Sequence, residues 1–374
     1  MFLLLKEGFK LFMVLSVTIG MDKLQRSVYI LLLIVFFFGG LYIAGSFLIP
    51  LALAAVFSML FIRLCNYFES KKINRSISAL ICILIFVSSI LLIVSLLYWQ
   101  MGSLIENLDE MKTRLTSMIQ EIRTWINQKV GIDKNQQKEI VKQGNNQTGA
   151  MIAGFAVNVV SIAVNAILVL VYMYLCLFYR SHIKKFILKL VPNEEEDRAA
   201  NIVHESGQVA QRYLSGLGAM IGVLWIMYGI GFSLVGVESA IFFAVLCGIL
   251  EIIPFVGNLT GTSITVLAVL AQGGDSKMII GVLIVYGTVQ LVQTYVLEPL
   301  IVGEQVDINP LFTIMAIVLG EFIWGVAGMI LAIPLLGIVK IICDRVPALH
   351  PYGFIIGPAK PVVKRKNLFK KNKT

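Results

Sequence analysis

The sequence predicts an all-α integral membrane protein with about eight hydrophobic segments, two late ones Pro/Gly-broken or re-entrant, plus an outer helical segment. Three observations predict it. Hydrophobic residues make up 58% of the 374-residue chain and charged residues 14%, with a mean hydropathy of +0.86. A soluble domain carries about 25% charged residues, and so few charges would not cover a water-facing surface. The apolar residues fall in runs that reach the ~20 residues a helix needs to cross the hydrocarbon core. Most of the 31 lysines and arginines flank those runs, where basic residues set orientation.

Residues 1–27 form a lead in which two short apolar runs are split by Lys6, Glu7 and Lys10. They are too short to span and carry no cleavage pattern of a signal peptide, so they read as a cytoplasmic or interfacial lead or as sequence ahead of a start at Met21. Residues 28–99 hold the first three segments, 28–46, 47–62 and 77–99, the first two expected to form a tight hairpin through GGLYIAGSFLIP. Residues 100–149 are the one long outer segment. Within it Leu104, Leu108, Met111, Leu115, Met118, Ile122 and Trp125 recur at alternating steps of four and three, the spacing of a seam that must be buried. That seam packs either on its own protomer or on another subunit.

The core, 150–343, contains segments 151–179, 215–235, 239–271, 278–297 and 310–343. Between the first two lies a cytoplasmic stretch, 180–214, where Pro192 and Asn193 open a short acidic-capped helix. Gly216, Gly218 and Gly222 read as a close-packing stripe. A basic tail, 344–374, follows and suits contact with anionic lipid. If the segments alternate, all but seven of the basic residues lie on the side of the termini, which places both termini in the cytoplasm. The net charge of +9 is then a topological signal, and no nucleic acid is expected as a partner. The five cysteines are too far apart for a zinc site or disulfide scaffold and read as small apolar fillers.

Segments 239–271 and 310–343 are too long for a single span. They read GILEIIPFVG and GMILAIPLLG, so that Gly248, Pro254 and Gly257 are matched 80 positions later by Gly328, Pro334 and Gly337. A proline in a helix removes a donor and strands a carbonyl, and in lipid that carbonyl must be satisfied inside the protein. Paired broken segments point to a substrate site in a transporter; ordinary kinks are the alternative. Each segment can instead be a hairpin that enters and leaves by its own side, with the two entering from opposite faces. Glu251, Glu298 and Glu321 lie in or beside these segments, and a carboxylate at membrane depth marks a pathway or satisfies freed backbone. The chain shows no phosphate loop, zinc-protease helix, nucleophile elbow or dinucleotide fingerprint, so neither an enzyme nor a cofactor is expected.

The stretches EIIPFVGNLTG (251–261), VLEPLIVGEQVDINPLFTIMAIVLGEFIWGVAGMILAIPLLGIVK (296–340) and PYGFIIGP (351–358) resemble the autoinducer-2 exporter family, the PerM-type permeases. The likeness runs over roughly 28–358. It implies export of a small polar metabolite or signal, or in some members exchange of sodium or lithium for protons, in a homo-oligomer of a bacterial inner membrane. The family's proline-aromatic-x-glycine element falls on Pro254, Phe255 and Gly257, and its E-P-x-x-x-G element on Glu298, Pro299 and Gly303. Asn258 stands where many relatives carry proline, and Asn309 precedes Pro310 where many carry histidine. The expected pathway thus comprises Glu251, Pro254, Phe255, Gly257, Asn258, Glu298, Pro299, Gly303, Asn309, Pro310, Glu321 and Pro334, with lipid and a small solute or ion as partners. A non-transporting scaffold that recruits a partner through the 104–125 seam is the remaining alternative.

Overall fold

A computed structural model of the chain describes residues 23–106, 113–114, 116–117, 148–253, 256–302 and 308–358. These are helical, without a strand among them. In chain order they form α1 (Lys23–Ile43), α2 (Gly45–Ser70), α3 (Arg75–Glu106), α4 (Thr148–Lys189), α5 (Glu196–Val235), α6 (Ala240–Leu250), α7 (Val256–Ala271), α8 (Ser276–Val292), a π-helix (Gln293–Val302), α9 (Pro310–Arg345) and α10 (His350–Ile356). Six helical stretches are long and apolar enough to cross a membrane, and most of their surfaces are exposed apolar side chains, as a lipid-facing bundle requires. Most of the outer seam of 104–125 lies outside the described residues.

Several boundaries differ from the sequence reading. The first two segments do not fold back on each other. Only Ala44 leaves helical geometry, at φ −81° and ψ 9°, and bonds continue across it from Ala44 N to Gly40 O and from Leu48 N to Ala44 O. Glycines at 39, 40 and 45 suggested a turn, but apolar residues on both sides let one helix simply bend. The expected short cytoplasmic helix and the segment 215–235 are one 40-residue helix, α5, because nothing between Glu196 and Val235 interrupts the helical pattern. Added Cβ atoms at Gly218 and Gly222 would meet open space, so those two glycines do not serve close packing within the protomer.

Two ends of the bundle can be told apart from contacts. At one end Arg180 of α4 donates to Glu69 and Asn66 of α2, at 2.6 and 2.7 Å, and Arg345 of α9 pairs with Glu205 of α5. At the other end α5 closes on Gly236 in left-handed conformation, and α8 begins at Asp275, whose carboxylate accepts from Met278 N at 2.9 Å. α5 runs the whole way between these ends and is the post on which the late segments are mounted.

Both long late segments are hairpins. The first is α6 and α7, with the chain reversed between them. A Cβ at Gly257 would collide with the Leu250 carbonyl, and one at Gly261 would lie 3.2 Å from the Cys247 Cα, so the two arms touch backbone to backbone. The second lies inside α9. Trp324 (φ −131°, ψ 15°) and Gly325 (φ 59°, ψ −141°) break the helix, and the latter combination is open essentially to glycine alone. Gly320 and Gly328 then face each other so closely that neither has room for a side chain. The break expected at Pro334 therefore sits ten residues earlier. Pro334 is a buried residue in the returning arm, through which the helix continues.

Candidate functional site

The depth of each hairpin can be read along α5. Hairpin 1 descends from the Gly236 end: Gly229 meets Ala244, the Trp225 indole donates to the Val245 carbonyl at 3.1 Å, and Gly248 leaves room for that indole. Hairpin 2 rises from the Glu205–Arg345 end, where Leu331 packs with Tyr213 and Leu214 of α5 and Val56 of α2. Its tip is seated by Trp324, whose indole donates to Leu41 O at 2.9 Å. Leu217 packs both against the cluster that seats hairpin 1 and against the cluster that contains Trp324. The two tips thus arrive at one depth of α5 from opposite ends.

Hairpin 1 carries the polar groups at that depth. Glu251 follows α6 directly, and its Oε1 accepts from Gln293 Nε2 at 2.6 Å. Gln293 is 2% exposed and is the first residue of the π-helix, where the change of helical period turns it toward the hairpin. On the first turn of α7, Asn258 Nδ2 donates to Gln290 Oε1, one turn before Gln293 on α8, and Gln290 in turn reaches Thr294 at 3.4 Å. Three buried oxygens here have no hydrogen-bond partner: Glu251 Oε2, Gln293 Oε1 and Asn258 Oδ1. Tyr228, Tyr286 and Glu298 lie within the electrostatic reach of Glu251. A half-satisfied carboxylate at this depth can hold a proton, a cation or the donor groups of a polar solute.

The other expected pathway residues are more dispersed. Gly257 serves the close approach of the hairpin arms. Glu298 is exposed on the π-helix, five residues beyond Gln293, and Pro299 follows it in the same π-helix. Asn309 caps α9, its Oδ1 accepting from Leu311 N at 3.0 Å, with Pro310 in the first turn, and its own N–H donates to Ile356 O at 2.7 Å. That pair shapes the mouth of hairpin 2 and ties α10 to it. Glu321 is exposed one turn before the tip of hairpin 2. Pro254, Phe255 and Gly303 lie outside the described residues. Gln290 and Gln293 escaped the sequence reading, which searched the apolar segments for carboxylates and breaks. The signal available was two glutamines one turn apart within an apolar stretch.

A family model described as AI-2E family transporter matches residues 31–348. The chain belongs to the AI-2E transporter family. Among curated relatives, it is 21% identical over 328 residues to YhhT of Escherichia coli strain K12, covering 86% of this chain and 91% of that one. It is 26% identical over 303 residues to MT0215 of Mycobacterium tuberculosis, covering 76% and 79%. It is 24% identical over 309 residues to YueF of Bacillus subtilis strain 168, covering 78% and 82%. All three are named as candidate transport proteins. Both hairpins and the polar cluster lie within the matched span, and this multi-pass membrane chain is of permease type.

Proposed function

We propose that this protein is a secondary transporter that exports a small polar metabolite or signalling molecule across a bacterial cytoplasmic membrane, with both termini in the cytoplasm and further copies of the chain beside it. The observation that carries the reading is the Glu251–Gln293 pair, which with Asn258 leaves three buried oxygens unpartnered, near the level of α5 that both opposed hairpins reach. Opposed re-entrant elements around a polar site at mid-depth suit access from one side and then the other. The absence of a nucleotide motif from the sequence leaves a gradient, or the solute's own, as the driving force.

The same carboxylate favours a second reading, sodium or lithium exchange for protons. Purified protein in liposomes separates the two. Release of solutes from a loaded metabolite library, lost in Glu251→Gln, supports export; proton-coupled sodium flux without metabolite release supports exchange. Absence of both fluxes removes the transport reading and leaves a membrane scaffold.

A further inference from the structure

We infer that the outer face of α10 enters the headgroup–acyl boundary of the bilayer that holds the protein, with Tyr352, Phe354 and Ile355 as the side chains that meet lipid, whatever solute the protein moves. Beyond His350 at its start, the helix HPYGFII carries no charged residue. Gly353 and Ile356 form its buried face, while Phe354 is 87% exposed, Tyr352 60% and Ile355 57%. A helix lying in water shows polar side chains on its outer face. Here that face is one aliphatic and two aromatic residues.

The depth of α10 is fixed by what it touches. α9 ends in charge: Lys340 pairs with Asp344, and Arg345 with Glu205 of α5, which marks the water edge of the bundle. After the turn at Pro347–Leu349 the chain comes back along that edge. A Cβ at Gly353 would collide with the Asp344 carboxylate, and one at Gly357 would lie 3.5 Å from Lys340 Cε, while Ile356 O accepts from Asn309 N at the mouth of hairpin 2. α10 thus descends from the level of Asp344 to that of Lys340, a drop of about one helical turn, ~5–6 Å. The interfacial layer on each side of the hydrocarbon core is about 5–8 Å thick. Tyrosine collects in that layer, and the apolar faces of amphipathic helices settle there. A second copy of the chain is the poorer occupant, since a stable interface covers about 800 Å² per partner and three such side chains offer less than about 600 Å².

The test places the full chain in phosphatidylcholine vesicles that contain a phosphatidylcholine with a diazirine near the head of its acyl chain, and maps the adducts formed on illumination by peptide mass spectrometry. Residues 350–356 are expected to carry adducts several-fold above the polar, mostly exposed corner at 193–198. Adducts no more frequent than at that corner overturn the inference. So do adducts that require added phosphatidylglycerol, because the contact would then belong to the charge of the basic tail. Depth is read separately by spin labels on Phe354→Cys, on Glu194→Cys in the polar corner and on Leu92→Cys, 71% exposed midway along α3, each in a cysteine-free background. The ratio of collisions with oxygen to collisions with a water-soluble nickel complex should rise in the order Glu194, Phe354, Leu92. A ratio at Phe354 equal to that at Glu194 overturns the seat in lipid. Spin–spin broadening at Phe354 that disappears on dilution with unlabelled chain also overturns it and assigns the face to a second copy. The adduct map uses the unaltered sequence and stands even where the cysteine-free variants fail to fold.

Discussion

Gly257→Ala is expected to destabilise the protein although it lies on the first turn of a helix, where the same change usually helps. In an open helical position, glycine to alanine contributes about 0.5–1 kcal/mol of stability. At Gly257 the new methyl lands on the Leu250 carbonyl oxygen, with Glu251 N only 3.1 Å away. That carbonyl is held by Ile253 N at 2.9 Å and cannot swing aside. The arms must therefore part by on the order of 1 Å, an overpacking that costs about 1–3 kcal/mol. Gly218→Ala, on the exposed face of α5 with open space at its Cβ, is the control. The two variants should differ by about 2–4 kcal/mol in denaturant unfolding followed by tryptophan fluorescence. Parting the arms also shifts Glu251 relative to Gln293, and a misplacement of that size is expected to lower flux in liposomes about a hundredfold. Equal stability changes at the two positions would show that the arms do not meet at Gly257, and the reversed hairpin would have to be abandoned.

Four other outcomes are expected. Gln293→Leu removes the sole described donor to Glu251 and should cost about 1–3 kcal/mol, with a smaller loss when Glu251→Gln is already present, as a double-mutant cycle in the same unfolding assay would reveal. Arg180→Met strands Glu69 and Asn66 at the α2–α4 contact; the pair is partly exposed, so a loss of about 1–2 kcal/mol is expected, again read by unfolding. Trp324→Phe keeps the ring but loses the bond to Leu41 O, worth about 1 kcal/mol, and should raise alkylation of a cysteine placed at Ala44 about fivefold. Single cysteines at Asp275 and Asp344, in a cysteine-free background, should label from opposite sides of the membrane; labelling from the same side would refute the opposed hairpins.

Much of this fold was legible because composition and run length are coarse signals that lipid enforces. The apolar runs at 77–99, 278–297 and the long helix around 151–179 appear where the hydropathy put them. Helix continuity was less legible. Lys184 and Lys189 mark a membrane boundary, yet α4 runs through them to Lys189, since crossing an interface does not end a helix. The stretch GGLYIAGSFLIP reads as a hairpin in the sequence because hydropathy cannot distinguish a bend from a reversal. At the site, Glu251 stood out because a carboxylate in an apolar run is rare, while its partner Gln293 is uncharged and depends on a π-helix that leaves no mark in the sequence.

The matched spacing of Gly248, Pro254, Gly257 and Gly328, Pro334, Gly337 looked like an internal repeat, and the structure gives it another meaning. In hairpin 1 Gly248 lies on the first arm and Gly257 in the opening of α7, Pro254 being outside the described residues; in hairpin 2 all three lie on the returning arm, beyond the turn at Trp324 and Gly325. The arms differ too, 240–250 and 256–271 against 310–323 and 326–345. What the hairpins share is the physical problem of packing two backbones without side chains between them, which glycine solves in both. Their chemistry diverges accordingly. Hairpin 1 ends in a carboxylate bonded to the π-helix, whereas hairpin 2 ends in an indole bonded to the bend between α1 and α2. That bend shifts Ala44 out of helical geometry just past Leu41, beside the carbonyl the indole takes. On the proposed transport reading, a motion that alternates access at Glu251 is therefore unequal in the two hairpins, one carrying the polar cluster and the other held by the first bent helix.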